Sequence, residues 1–380
     1  MKMKDWKEYR LGEMIQCNPQ VKLEKGKTYN LIDIDSIEIG SRYVKGKELT
    51  EYDGQSGCHF QNGDTVMARI TPCLENGKIA QVQCESQKGF GSTELFVFRG
   101  TENKTDSNYV FNLMSMQFIR DLAANSMTGA SGRQRADLGF IKRIKWNFPP
   151  LPTQQKIASI LSAYDNLIQN YKKQIKALQT GTCELYKEWF VRFRFPGYQT
   201  TKFENGIPEG WKIEKVKNCV NRLPFGQTYK KDELEPEGNV IVIDQSEDEY
   251  LGYHNNEPSH KASAENPIAL FGDHSCKYKL MIKDFSLGEN IIPYTSKGVD
   301  LYYLYYSVYK IVQTEEYKRH WNLFVNKKVL ISNNELQKSF RQKVIPIFKQ
   351  IEILNKQITN LTQQRDLLLP RLMSGKLEVE

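Results

Sequence analysis

The stretch Val344-Ile345-Pro346-Ile347-Phe348-Lys349-Gln350-Ile351-Glu352-Ile353-Leu354-Asn355-Lys356-Gln357-Ile358 decides how the whole chain is read. Val344, Phe348, Ile351, Leu354, Ile358, Leu361, Leu368 and Leu372 fall on a near-heptad stripe, interrupted at Arg365, while Lys, Gln, Glu and Asn fill most other positions. This spacing puts the apolar residues on one side of an α-helix, and that side needs a partner to cover it. Upstream, Ile157, Leu161, Tyr164, Leu167, Tyr171, Leu178 and Leu185 carry a stripe of the same kind. No other segment of comparable length offers one, so the two helices are expected to pack on each other. Pro149, Pro150 and Pro152 punctuate the start of the first helix, with Thr153 as its N-cap, and Phe195-Pro196-Gly197 ends its neighbourhood. Pro346 is expected to bend or restart the second helix, and Pro370 to loosen its last turn.

The sequence ahead of each helix is written twice. Trp6-Lys7, followed by Leu11 and Ile15, returns 205 positions later as Trp211-Lys212, followed by Val216 and Val220. Gln155-Lys156-Ile157 and the helix behind it line up with Gln342-Lys343-Val344, now 187 positions on. Each half therefore reads as a domain followed by a helix, with domains at 1–150 and 196–330 and helical segments at 151–195 and 331–380. A repeat packed about a pseudo-two-fold axis makes the two helices an antiparallel coiled coil. From Thr153 to Phe190, at about 1.5 Å per residue, the helix would be roughly 57 Å long, the length of about 17 base pairs.

Within the first domain Tyr29–Ile34, Thr65–Ile70, Lys78–Val82 and Glu94–Phe98 read as strands, and Ser107–Asn125 as a helix. The second repeats the scheme with Val240–Ile243, Ile268–Phe271, Leu280–Ile282 and an aromatic helix at Leu301–Lys310. The expected fold class is α+β: two α+β domains joined by two long antiparallel helices.

Bulk properties narrow the function classes. A chain of 380 residues suits two cores. It is 39% hydrophobic and 26% charged, and no apolar run approaches the roughly 20 residues of a membrane span. The basic N-terminal residues have no apolar segment behind them, so a secretory signal is not expected. Seven scattered cysteines without a C-x-x-C pair fit a reducing cytoplasm. A net charge of +8 raises the prior for a polyanionic partner.

Two polar segments of the first domain are candidate DNA contacts. The turn from Arg69 to Lys78 offers a guanidinium, the amide of Asn76 and the ammonium of Lys78. The segment Ser126–Arg135 adds glycines beside Arg133, Gln134 and Arg135; arginine and glutamine match guanine and adenine edges respectively. The matching turn of the second domain carries His274, Lys277 and Lys279, and Lys318 and Arg319 lie beyond the aromatic helix. Each of these can equally be a solvated surface loop, and His274 a turn-stabilising histidine. Tyr302, Tyr303, Tyr305 and Tyr306 read as packing residues.

Catalytic signatures are missing from the sequence. Gly26-Lys27-Thr28 resembles the end of a phosphate-binding loop, but Val21 stands where the first glycine belongs. Asn147-Phe148-Pro149-Pro150 is a scrambled relative of the amino-methyltransferase signature, with the aromatic in the wrong place and no glycine-rich methyl-donor loop. The five histidines are too dispersed to suggest a metal centre. No catalytic residue and no metal site is expected.

The repeat, together with Pro208-Glu209-Gly210-Trp211-Lys212, Ala68-Arg69-Ile70-Thr71-Pro72-Cys73, Gly91-Ser92-Thr93-Glu94, Phe271-Gly272-Asp273-His274 and Arg365-Asp366-Leu367-Leu368-Leu369-Pro370-Arg371-Leu372, closely resembles the specificity (S) subunits of type I restriction-modification systems. The resemblance covers nearly the whole chain. It implies two target-recognition domains that read the halves of an asymmetric bipartite site in double-stranded DNA. It also implies docking to two methyltransferase (M) subunits and to restriction (R) subunits, with S-adenosylmethionine, ATP and Mg on those partners and no cofactor on this chain. Such a system serves DNA methylation and phage defence in the cytoplasm, away from any membrane. A stand-alone DNA-binding regulator, a coiled-coil scaffold without a DNA role and a self-contained methyltransferase are the competing readings.

Overall fold

In a computed structural model that describes residues 5–129, 134–246, 250–314 and 318–379, the chain divides into two units. One comprises Met1–Asn170 with Ile358–Glu380, and the other Tyr171–Gln357. A central helix, Leu151–Tyr186, and a C-terminal helix, Asn334–Met373, each contribute a segment to both units.

The first unit is organised by a five-stranded sheet with the order Ile15–Cys17, Leu95–Gly100, Thr65–Ala68, Ile79–Val82, Tyr43–Val44. Its side chains alternate between two separate cores, as the two-residue period of a strand requires. Met67, Ile79, Phe96 and Phe98 join Tyr109, Leu113 and Ile119 of the helical layer. Val66, Ala68, Ala80, Val82, Leu95 and Val97 face Ile32, Ile37 and Phe60, which belong to or adjoin a second, four-stranded sheet. With both faces covered, these strands are apolar over most of their length, and a polar residue that enters them, such as Thr65 or Gln81, is buried as well, which is why short apolar runs mark them in the sequence.

The second unit repeats this plan with fewer strands. Val220–Arg222, Ile291–Ser296, Ile268–Gly272 and Tyr278–Met281 form a sheet in the corresponding order. Gly252–His254, Val240–Ile243 and Phe285–Leu287 form its companion, with the same parallel pairing as Thr28–Ile32 on Lys88–Gly91. In the second unit the edge strand Cys58–Gln61 is reduced to a single antiparallel bridge between His260 and Phe285, and among the described residues Tyr43–Val44 has no counterpart. The ends of the domains match residue by residue. Lys7–Arg10 pairs with Lys145–Phe148 as Lys212–Lys215 pairs with Lys328–Ile331, and the N–H groups of Leu11 and Val216 donate to the carbonyls of Ile144 and Lys327.

One device ties each domain to the helix that follows it. Gln154 is buried one turn into the central helix; its Nε2 donates to the carbonyls of Lys104 (3.0 Å) and Pro149 (2.9 Å), and its Oε1 accepts the N–H of Asp106 (3.1 Å). Gln337 does the same in the C-terminal helix, donating to Ser332 (2.8 Å) and accepting from Asp300 (2.8 Å). Asp106 and Asp300 in turn cap the helices Ser107–Ser115 and Leu301–Val308 with their carboxylates.

This pairing of Gln154 with Gln337 sets the helical repeat at 183 positions, not the 187 suggested by Gln155-Lys156-Ile157. Ile157 then corresponds to Phe340, Leu161 to Val344, Ile168 to Ile351, and Trp189-Phe190 to Leu372-Met373, and every one of these residues is buried. A slip of four keeps apolar residues on the same helical face, so the pattern alone cannot detect it.

Other expectations need correction as well. Leu167 is 37% exposed and Ile168 is the buried residue of that turn, while Tyr164, Tyr171, Leu178, Ile358 and Leu361 are half-buried and Phe348 and Leu354 are buried. The central helix starts at Leu151, two residues ahead of Thr153, and the Pro150 carbonyl receives the N–H groups of Thr153 and Gln154. The C-terminal helix runs without a break through Pro346 and Pro370, both exposed. The buried neighbours Val344 and Phe348 hold the helix across Pro346, and what that proline forfeits is one hydrogen bond on the solvent side. The segment Ser107–Asn125 is two helices, divided at Met116, whose backbone is extended.

In the first unit the opening turns of the central helix share a core with the closing turns of the C-terminal helix, through Ile157, Leu161, Leu372 and Met373. An ionic triad lies beside them. The Arg42 side chain is 0% exposed, and its guanidinium donates to Asp165 (2.9 Å), Asn108 (3.0 Å), Gln81 (3.2 Å) and Asn112 (3.3 Å). Arg365 donates to the other Asp165 oxygen at 2.8 Å. In the second unit the position corresponding to Asp165 is Phe348, which packs on Tyr302 with ring centres 5.0 Å apart. There the last turn of the central helix lies with the opening turns of the C-terminal one, the rings of Tyr186 and Phe340 being 6.1 Å apart.

Asp165→Ala leaves Arg42 buried without its counter-charge, and an uncompensated buried charge costs about 3–5 kcal/mol. Urea denaturation is expected to show an early loss of the first unit, with the transition of the second unmoved.

Candidate nucleic-acid interface

The sequence-predicted contacts gather, in each unit, where the central sheet gives way to loops. In the first unit, strand Thr65–Ala68 ends at Arg69, whose N–H donates to Glu94 (3.0 Å) and whose carbonyl accepts from Ala136 (2.8 Å). The N–H of Thr71 donates to Gln134 (3.1 Å), and Thr128 and Arg135 exchange backbone bonds at 3.1 and 3.0 Å. The Arg69 turn and the polar segment ending at Arg135 are thus laced together on one edge of the sheet.

Their side chains behave differently from one another. Arg135, 43% exposed, is held by Glu94 through Nε (2.8 Å) and Nη2 (2.5 Å). These hydrogen bonds keep the Glu94 carboxyl below its ordinary range and raise the arginine. Arg69 lies over the ring of Phe96 at 4.8 Å, with its Nε buried and unpartnered among the described residues. It also lines a cavity of about 490 Å³ shared with Lys22, His59 and Thr93. Asn76 is exposed at the tip of its turn. Lys78 folds back, donating to the Ile34 carbonyl at 3.0 Å, because its half-buried stem lies against that loop. Arg133 lies outside the described residues.

The second unit builds the same frame from other residues. Asp273 follows strand Ile268–Gly272; its N–H donates to Asn290 (2.8 Å), and its carbonyl accepts from His320 (2.7 Å). Hence Asp273 stands where Arg69 stands, Asn290 where Glu94 does, and Arg319 where Arg135 does. The Asp273 carboxylate caps the helix Trp321–Asn326, accepting from Trp321 (2.8 Å) and His320 (3.1 Å). Its second oxygen lies 3.8 Å from Arg319, a side chain 78% exposed. Lys277 donates to the Ser246 carbonyl (2.7 Å), and the N–H of His274 donates to Gln245 (2.9 Å), so both are built into the turn. Lys279 is half-buried and Lys318 exposed. Tyr302 and Tyr303 are core residues.

Glu94 and Asp273 were not among the expected site residues, although both stand in segments that carried the family resemblance. An acid in a basic loop reads as a solvated charge until the strand order brings it against an arginine. Among the described residues no group of three His, Cys, Asp or Glu side chains is arranged to hold a metal ion, and no helix is long and apolar enough to cross a membrane.

Residues 3–180 match the family described as type I restriction modification DNA specificity domain. The MjaIX type I restriction enzyme specificity subunit of Methanocaldococcus jannaschii is 26% identical over 318 residues, covering 72% of this chain and 68% of that one. The EcoAI specificity subunit of Escherichia coli is 34% identical over 127 residues, covering 32% of this chain and 21% of its own. Among solved structures, the type I restriction-modification S subunit from M. genitalium superposes with a TM-score of 0.52 at 15% identity, over 97% of this chain and 96% of that one, a likeness of fold. The family match stops inside the central helix, whereas the archaeal relative is matched over more than half of this chain, so the likeness reaches past the first repeat. The chain thus carries a type I restriction modification DNA specificity domain over residues 3–180 and is similar over 72% of its length to a type I restriction enzyme specificity subunit.

Proposed function

We propose that this chain is the DNA-reading subunit of a type I restriction-modification assembly, with each unit reading one half of an asymmetric bipartite site. One observation carries the reading. An arginine-bearing loop stands at the same place in both repeats, while the residues around it diverge, Arg69 answering to Asp273 and Glu94 to Asn290. A shared frame with different side chains is what two readers of different sequences require. Lysines and arginines on phosphates would set the register, and a few polar side chains would read base edges in the major groove.

In this proposal the chain is an adaptor without catalysis of its own. Methyl transfer and cleavage belong to methyltransferase and restriction subunits, which carry S-adenosylmethionine, ATP and Mg, and the assembly works in the cytoplasm. The exposed flanks of the long helices offer a docking surface for those subunits. The length of the helices sets the number of unread base pairs between the half-sites.

Two measurements test this. Seven residues added to each long helix preserve the apolar face and add about 10 Å, so the spacer should grow by about three base pairs with both half-sites unchanged in genome-wide methylation mapping. An unchanged spacer with altered half-sites overturns the assignment of the ruler. Replacing Arg133 and Arg135 by alanine should weaken recognition of one half-site by about 1–3 kcal/mol per lost bidentate contact, leaving the other half-site's preference intact. Equal loss on scrambled DNA would mark both side chains as phosphate contacts instead.

A further inference from the structure

Arg135 and Arg319 occupy the same position of the repeat, and each meets a carboxylate, yet the two carboxylates come from different places. Glu94 precedes strand Leu95–Gly100, and its counterpart in the second unit is the neutral Asn290. Asp273 follows strand Ile268–Gly272, and its counterpart in the first unit is the cationic Arg69. A pair inherited whole by both repeats would keep the acid at one position. Here the arginine is kept and the acid has been supplied twice, from opposite sides of the same loop cluster.

A structural tie alone accounts poorly for this arrangement. The backbone bonds of Arg69, Thr71, Thr128 and Ala136 already fasten the first loop, and those of Asp273 and His320 the second. Arg135 is 43% and Arg319 78% exposed, so neither guanidinium helps to fill a core. A surface ion pair contributes little to stability in any case. Glu94 occupies the planar fork of donors that a phosphate, or the O6/N7 edge of guanine, would otherwise take up, and Asp273 stands at ion-pair distance, 3.8 Å, from the fork of Arg319.

We propose that Glu94 and Asp273 are specificity-determining latches. Each holds its arginine in an intramolecular pair that duplex DNA must break, and once the arginine has left, the bared carboxylate stands beside the DNA phosphates and repels them. Breaking the pair costs the same on every sequence, but only on the target do the neighbouring base contacts set an acceptor in line with the freed guanidinium to replace the carboxylate. Only a site whose other contacts repay the loss binds well, so the latch suppresses non-target binding more than target binding. This inference rests on the DNA-reading function proposed above and concerns what sets its selectivity.

The test uses the full-length chain and fluorescent duplexes carrying either the methylation-mapped target or its scrambled sequence, titrated across a salt series. Glu94→Gln keeps the shape and removes the charge. It should raise affinity for scrambled duplex about tenfold, raise target affinity less, and steepen the salt dependence by about one ion. Adding Arg135→Ala to that variant should abolish the gain. Asp273→Asn, which keeps a capping side chain for Trp321–Asn326, should act in the same direction through the other half-site. If replacing guanine by 7-deazaguanine in the target removes the gain there, the displaced acceptor is a base edge, and if the gain persists, it is a phosphate; the latch stands in both cases. Glu94→Gln and Asp273→Asn variants that bind scrambled DNA like the wild type, or more weakly, overturn the latch. Wild-type protein that does not distinguish target from scrambled duplex overturns the underlying function instead.

Discussion

Two buried glutamines hold this protein's architecture together. A domain and the helix that follows it meet where a strand has ended, a short helix begins and a long helix starts, and all three leave backbone groups without partners. Gln154 and Gln337 each satisfy such groups from both sides of the junction, with a carboxamide that donates and accepts at once. An unsatisfied buried group costs about 1–3 kcal/mol, so the position tolerates few alternatives. The paired strands and the capped helices of each repeat are placed with respect to that side chain.

On this frame the two units differ most where they meet their surroundings. Both keep the sheet order, the strand that closes the domain and the aspartate that caps the first helix. They differ in the edge strands and in the loop clusters around Arg135 and Arg319. Backbone hydrogen bonds place those clusters equally in both repeats, which leaves the side chains at the same points free to diverge in charge.

Much of this was legible in the sequence because periodicity and repetition are local patterns. The Trp6 and Trp211 motifs, the apolar strands and the two long helices are read directly from residue spacing. The exact register of the helical repeat was not legible, since a shift of one turn leaves the apolar face intact; Ile168 rather than Leu167 is buried, on the face that also buries Asp165. Burying Asp165 looks unfavourable until Arg42, 123 positions away and just ahead of the edge strand Tyr43–Val44, and Arg365 are placed against it. The arginines of the loops were visible as candidates. The carboxylates that hold them were not, because their role depends on which strands are neighbours.

The contrast between Asp165 and Phe348 bears on how the halves drift under mutation. A ring packed on a ring can be exchanged for another apolar side chain of similar volume at small cost, one substitution at a time. Asp165 and the two arginines around it cannot change so freely, because losing the carboxylate strands the fully buried Arg42, and losing an arginine leaves a carboxylate oxygen inside the core without its donor. Residues 42, 165 and 365 should therefore covary among relatives that keep the edge strand, whereas position 348 is free to wander on its own.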